Sequence, residues 1–212
     1  MDGTAPNDAL AGLVDDPVGF LDAADAVVRR IAVAGCSPRL GNVSVLARLC
    51  EMLRRDPDAG VRTEVAEVLG GAGSTVLADV LAATEDTDPR VVEAAVTALG
   101  GIADPTVVPH LVAAATSHDD RLVREAAVAA LGAIADPIAL PVLLDLLETG
   151  PPQVRRRTVA ALTVFDDPAV EPALRRASHD RNPMVREAAE MVVGRAGPEI
   201  GGSEMDKQPP TP

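Results

Sequence analysis

Three histidines carry most of the chemistry this sequence could offer: His110, His118 and His179. Two of them lie in Ser-His-Asp phrases, SHDD from Ser117 and SHDR from Ser178. A nucleophile, its base and an orienting carboxylate must converge on one point, and three consecutive residues of a turn project apart instead. The two phrases also fall two courses apart in the repeat described below. Helix layers are spaced about 8–10 Å, so the turns are roughly 20 Å apart, too far to share a metal or a substrate. They read as solvated turns with capping groups. Cys36 and Cys50 are too few for a disulfide scaffold and read as reduced, partly buried thiols. The one basic run, Arg155–Arg157, reads as a solvated helix face or a patch for an acidic partner, with Arg175 and Arg176 on the next segment. No catalytic, cofactor-binding or metal-ligating residue is expected.

Composition narrows the rest. The 212 residues carry a formal charge of −13, which repels phosphate backbones and anionic lipid, so neither nucleic acid nor membrane is an expected partner. The first residues, MDGTAPNDAL, have no basic or apolar stretch of a signal peptide, and no apolar run approaches the ~18 residues of a membrane span. A cytoplasmic location is the expectation. Hydrophobic residues make up 47%, yet the aromatics are only Phe20 and Phe165. A core of Ala, Val and Leu suits closely packed helices and fits poorly with strands, which favour aromatic and β-branched residues.

The phrase VREAAVAALGAIADP from Val123 has near copies at VVEAAVTALGGIADP from Val91 and VREAAEMVVGRAGP from Val185. The opening valines are Val61, Val91, Val123, Val154 and Val185, at intervals of 30, 32, 31 and 31 residues. Such a period marks a solenoid. Counting each valine as position 0, positions 0, 4, 7 and 8 are apolar or small in nearly every copy, one face of a helix. Asp58, Asp88, Asp120 and Asn182, three residues ahead of their valines, are expected N-caps; Pro151 departs from the rule. A second periodic segment opens with Asp-Pro at Asp104, Asp136 and Asp167, and Ser74 is expected to fill the same role in the preceding copy. The unit is therefore two antiparallel helices. The expected fold is all-α: an α-α superhelix of about five helix pairs over residues 17–200, with Phe20–Gly35 as a leading cap helix. Residues 1–16 and 201–212 are expected to be disordered.

The pattern carried by Val123, Arg124, Ala127, Ala130, Leu131, Gly132, Ile134, Asp136, Pro137, Ala139, Pro141 and Leu143 resembles the HEAT-like repeats named after phycobilisome (bilin) lyases. Pro109, Pro141 and Pro172 look like the mid-helix proline of the outer HEAT helix. The resemblance spans about residues 43–196 and implies an armadillo-type solenoid. It also implies bonds between neighbouring copies, with Asp58 matched to Arg62, Asp120 to Arg124, lone Arg155 and Arg186, and a step broken at Val92. Enzymes of the type lack their residues here. Deoxyhypusine hydroxylases need His-Glu pairs where this chain has Thr63-Glu64, Glu93-Ala94, Glu125-Ala126, Arg156-Arg157 and Glu187-Ala188. HEAT-like DNA glycosylases need a basic groove and aromatics.

Surface is what remains. Position 5 of the second helix reads Ala66, Val96, Val128, Val159, Glu190, and position 2 reads Thr63, Glu93, Glu125, Arg156, Glu187. In HEAT-like stacks this helix lines the concave side. Val96, Val128 and Val159 then form either an exposed apolar stripe flanked by Glu93, Glu125, Arg156 and Glu187, or packing between courses. The first reading makes these seven residues a protein-binding groove. The expected function is a non-catalytic scaffold or adaptor for a protein or peptide. The alternative, from the resemblance, is a bilin-lyase-like or chaperone-like subunit acting with a partner.

Overall fold

A computed structural model describes residues 12–194. After a helical stretch at 12–15 and a short 3-10 turn at Pro17–Phe20 comes α1 (Ala26–Gly35). Five helix pairs follow. They are α2 (Val43–Arg55) with α3 (Ala59–Leu69), α4 (Leu77–Ala83) with α5 (Pro89–Ile102), and α6 (Val108–Ser117) with α7 (Arg121–Ile134). The last two are α8 (Leu140–Thr149) with α9 (Pro152–Leu162), and α10 (Val170–Ala177) with α11 (Pro183–Val193). No strand occurs among the described residues. Ordered chain begins earlier than expected: residues 12–15 are helical and Leu13 is buried. Of the two segments expected to be disordered, residues 1–11 and 201–212 lie outside the described residues, as do 195–200.

The caps follow the sequence. Asp58, Asp88, Asp120 and Asn182 accept backbone N–H bonds from Val61, Arg90, Leu122 and Met184 at 2.7–3.0 Å. Asp104, Asp136 and Asp167 do the same for Thr106, Ile138 and Ala169. Two expectations need correction. Ser74 is not the cap of its segment; that place belongs to Gly73, whose φ of +71° suits a residue without Cβ. Pro109 and Pro141 do not sit mid-helix. A 3-10 turn precedes α6 and α8, which puts each proline at the second helical residue, where its missing N–H costs nothing.

The second helices, α1, α3, α5, α7, α9 and α11, pack on one another in an unbroken series, while the first helices of successive pairs approach far less. The layer with the closer spacing is the inside of the curve. Glycine sets that spacing. A Cβ on Gly100 would stand 2.8 Å from Ala130 Cα, one on Gly132 2.9 Å from Ala161 Cα, and one on Gly70 3.1 Å from Ala98 Cα. Position 9 of these three courses thus presses onto the alanine at position 7 of the next. At α9 the residue is Thr163, and Val192, exposed, stands at position 7 of α11, so this seam ends there.

Each inner helix touches the helices before and after it and its own pair-mate. Its buried arc is therefore wide. Besides positions 0, 4 and 8, position 5 is buried: Ala66, Val96, Val128 and Val159 are at most 1% exposed. The exposed stripe expected at Val96, Val128 and Val159 is not on the surface, because those valines fill the space between courses. Position 5 turns polar at Glu190, in the last of the described helices.

Candidate protein-binding surfaces of the stack

With position 5 inside, the open side of the inner helices consists of positions 2, 3, 6 and 10. Thr97, Gly101, Ala133 and Ala160 are exposed there and Ala129 is half-buried, a floor of small side chains through the middle of the stack. Charge edges this floor unevenly. Glu64, Glu67, Glu93 and Glu125 lie on α3, α5 and α7; Arg156 and Arg157 follow on α9, and Glu187 on α11. Glu64 is drawn to Arg30 at 3.8 Å and Glu125 to Arg121 at 3.6 Å, longer than a hydrogen bond, and Glu125 Oε1 is buried without one. Glu93, Arg156, Arg157 and Glu187 have no ion pair among the described residues. Four of the seven residues expected to form the groove, Glu93, Glu125, Arg156 and Glu187, thus share the inner side, and the three valines lie beneath it.

The edge of the stack where the paired helices turn carries a second pattern. Arg29 donates from Nε and Nη2 to both oxygens of Asp56 at 2.8 Å. Arg62 does the same to Asp86, at 2.8 and 2.9 Å, and Arg155 to Asp180, at 2.8 and 2.7 Å. Every arginine is at position 1 and every aspartate five residues ahead of the next valine. These aspartates also accept the N–H of their own turn, from Asp58, Asp88 and Asn182. A remaining guanidinium nitrogen closes onto a carbonyl of its own course, Asp56 for Arg62 and Gly150 for Arg155. Two-point pairing between planar groups of opposite charge is strong and directional. It holds Asp86 and Asp180 below the usual carboxylate range, through Arg62 and Arg155. Burial opposes the charge of Asp56, but Arg29 and the Asp58 amide outweigh it.

The pairing expected from the resemblance is therefore shifted by one course. Arg62 binds Asp86, not Asp58, and the Asp120 carboxylate caps α7 and makes no bond to the Arg124 guanidinium. Arg29 also shows that α1 is a full member of the series: Val28 and Arg29 stand where Val61 and Arg62 stand one course later. Two steps in the middle are broken. At the first, Val92 replaces the arginine and His118 the aspartate; His118 Nδ1 accepts the Asp120 N–H at 3.0 Å as the carboxylates do elsewhere. The vacated space is an open cavity of ≈ 250 Å³ lined by Thr84, Val92, Val96, His110 and His118. His110 Nε2 lies 2.9 Å from Thr84 Oγ1, whose hydroxyl donates to Leu81 O. At the second, Arg124 is present and Thr149 replaces the aspartate. The cysteines do no visible work: both are free and buried, and burial with the nearby Asp79 carboxylate pushes the Cys50 thiol up to about 11. Among the described residues no group of three His, Cys, Asp or Glu side chains could hold a metal ion, and no helix is long and apolar enough to cross a membrane.

The HEAT repeats family matches at residues 18–95 and 77–162. No curated protein matches the sequence. Solved structures share the architecture. A chain from the complex of CpcE and CpcF of phycocyanin lyase from Nostoc sp. superposes with a TM-score of 0.59 at 19% identity, covering 71% of this chain and 98% of that one. YibA of Escherichia coli gives 0.61 at 19% identity, over 89% and 74%. A designed armadillo repeat protein in complex with the peptide (KR)4 gives 0.57 at 16% identity, over 86% and 99%. At these identities the likeness is one of fold. With the matched repeats covering most of its length, the chain belongs to the HEAT-repeat family.

Proposed function

We propose that this protein is a non-catalytic scaffold that holds a partner polypeptide along the inner side of the stack. The observation that carries this is the charge sequence on a smooth floor. Carboxylates on α3, α5 and α7 give way to Arg156 and Arg157 on α9, and neither arginine is neutralised by a neighbour among the described residues. Through the middle courses the small side chains offer little apolar area, so electrostatic complementarity selects the partner there, while Ile31, Val164 and Met191 are exposed toward the ends. The fitting partner is an extended or helical segment, basic over the first three courses and acidic opposite α9. The designed armadillo protein in complex with (KR)4, a basic peptide on a stack of like architecture, supports this reading.

The test is charge reversal with the fold held constant. Arg156→Glu combined with Arg157→Glu changes two exposed side chains and should melt within a degree or two of wild type. Capture of the wild-type partner should fall at least tenfold and weaken further as salt rises. Full capture by the stable double variant would overturn the reading. A visible pigment retained by the wild type on co-expression would favour the lyase-like alternative.

A further inference from the structure

Arg124 is an arginine without an acceptor. Its place, position 1 of α7, is the place from which Arg29, Arg62 and Arg155 each grip an aspartate of the following course. The residue opposite is Thr149, and its hydroxyl is turned away, donating to Asp145 O at 3.0 Å. The loss has a local cause. Elsewhere the aspartate is also fixed by an N–H two residues on, but here that residue is Pro151, which has none. With nothing to hold it, an aspartate at 149 has lost half its purpose. Arg124 is left half-buried, its Nε buried without a partner, and its side chain makes no hydrogen bond or ion pair among the described residues. No neighbouring carboxylate bonds its side chain: Asp120 caps α7, Glu148, next to Thr149, accepts from Arg176 at 2.9 Å, and Glu125 lies 3.6 Å from Arg121 with its own Oε1 unpartnered.

We infer that Arg124 is a docking point for a carboxylate brought by a partner polypeptide, an Asp or Glu side chain that takes the position vacant at 149. The three intact steps show the chemistry, a planar carboxylate taking two guanidinium N–H groups at 2.7–2.9 Å; with Nε of Arg124 covered, the incoming carboxylate meets the Nη nitrogens. A lone guanidinium holds a free carboxylate weakly in water. The acceptor must therefore arrive on a chain that makes further contacts, which raises its effective concentration. The chain's overall charge of −13 repels acidic segments in general, so an unpaired arginine at one turn selects where a partner's acid can land. This site is on the turn edge, not the inner side, and stands or falls independently of the reading above.

The experiment follows the Nε–Hε resonance of Arg124 in the full chain, labelled with nitrogen-15. The probes are acetyl-Ala-Asp-Ala-amide, its Asn counterpart and sodium acetate. The Asp peptide should move the resonance saturably, with an apparent affinity at least tenfold above acetate, and the Asn peptide should leave it in place. Thr149→Asp should fill the position from within: it should raise the thermal midpoint by about 2–4 °C and abolish the response to the peptide. No response to the Asp peptide, or an equal response to the Asn peptide, would overturn the proposal. Equal affinity for acetate would overturn the polypeptide source. A response unchanged in the Thr149→Asp variant would show that the carboxylate binds elsewhere.

Discussion

Replacing Asp180 by alanine should cost this protein far more than replacing any exposed acid. The Arg155 side chain is 1% exposed, and three of its nitrogens are engaged, two by Asp180 and one by the Gly150 carbonyl at 2.7 Å. Removing the carboxylate strands a buried cation, an effect of about 3–5 kcal/mol. It also frees the Asn182 N–H, which Asp180 accepts at 2.7 Å, for about 1 kcal/mol more. Glu171, paired with Arg175 across one helical turn, is 69% exposed, and its removal should cost at most about 0.5 kcal/mol. Urea unfolding followed by helical circular dichroism measures both. The pH dependence adds a second reading. Asp180 is held below its ordinary value of 3.8 by Arg155, so its contribution is complete above about pH 4 and is lost as pH falls through the lower, folded value. Between those limits the wild type should lose stability on acidification more steeply than the Asp180→Ala variant. Equal costs at 180 and 171 would refute the view that these pairs lock the courses together.

Three further outcomes follow from the packing. Val128→Glu should cost more than about 4 kcal/mol, because it drives a carboxylate into the fully buried space between α5, α7 and α9; near wild-type stability would return position 5 to the surface. Gly132→Val should cost about 1–3 kcal/mol by forcing α7 away from Ala161, whereas Gly71→Ala, with its nearest contact at 3.5 Å, should be near neutral; equal values would remove glycine from the account of helix spacing. Cys36 and Cys50 should react with an aromatic disulfide reagent at pH 8 only as fast as the chain opens, and rapid labelling of the native protein would contradict their burial and raised Cys50 value.

The repeat was legible because the signals that set it are local. The valine spacing, the Asp and Asn caps and the Asp-Pro starts each act within a few residues, and all but Ser74 do what their chemistry implies. The burial of Val96, Val128 and Val159 was not legible from one helix. A single amphipathic face predicts one buried stripe, whereas an inner helix of a stack is covered from three directions. The arginine pairs were misassigned for a related reason. Within a course Asp58 is the obvious neighbour of Arg62, and only the stacking of courses brings Asp86 closer. The membership of α1 is hard to read because only residues 12–15 and one 3-10 turn precede it among the described residues, yet Val28-Arg29 preserves the motif. Glu93, Glu125, Arg156 and Glu187 lie on the inner side because position 2 faces away from the packed positions 0, 4, 5 and 8.

The most direct test of the central claim is to place a photo-crosslinking amino acid on each side of the stack in turn. Thr97 and Ala160 are exposed at position 6 of the inner helices, and Ala82 and Ala113 are exposed on the outer ones. If a partner polypeptide lies along the inner side, irradiation of the complex should give adducts from 97 and 160 and none from 82 and 113. Adducts from the outer positions alone would place the partner on the opposite face and contradict the account.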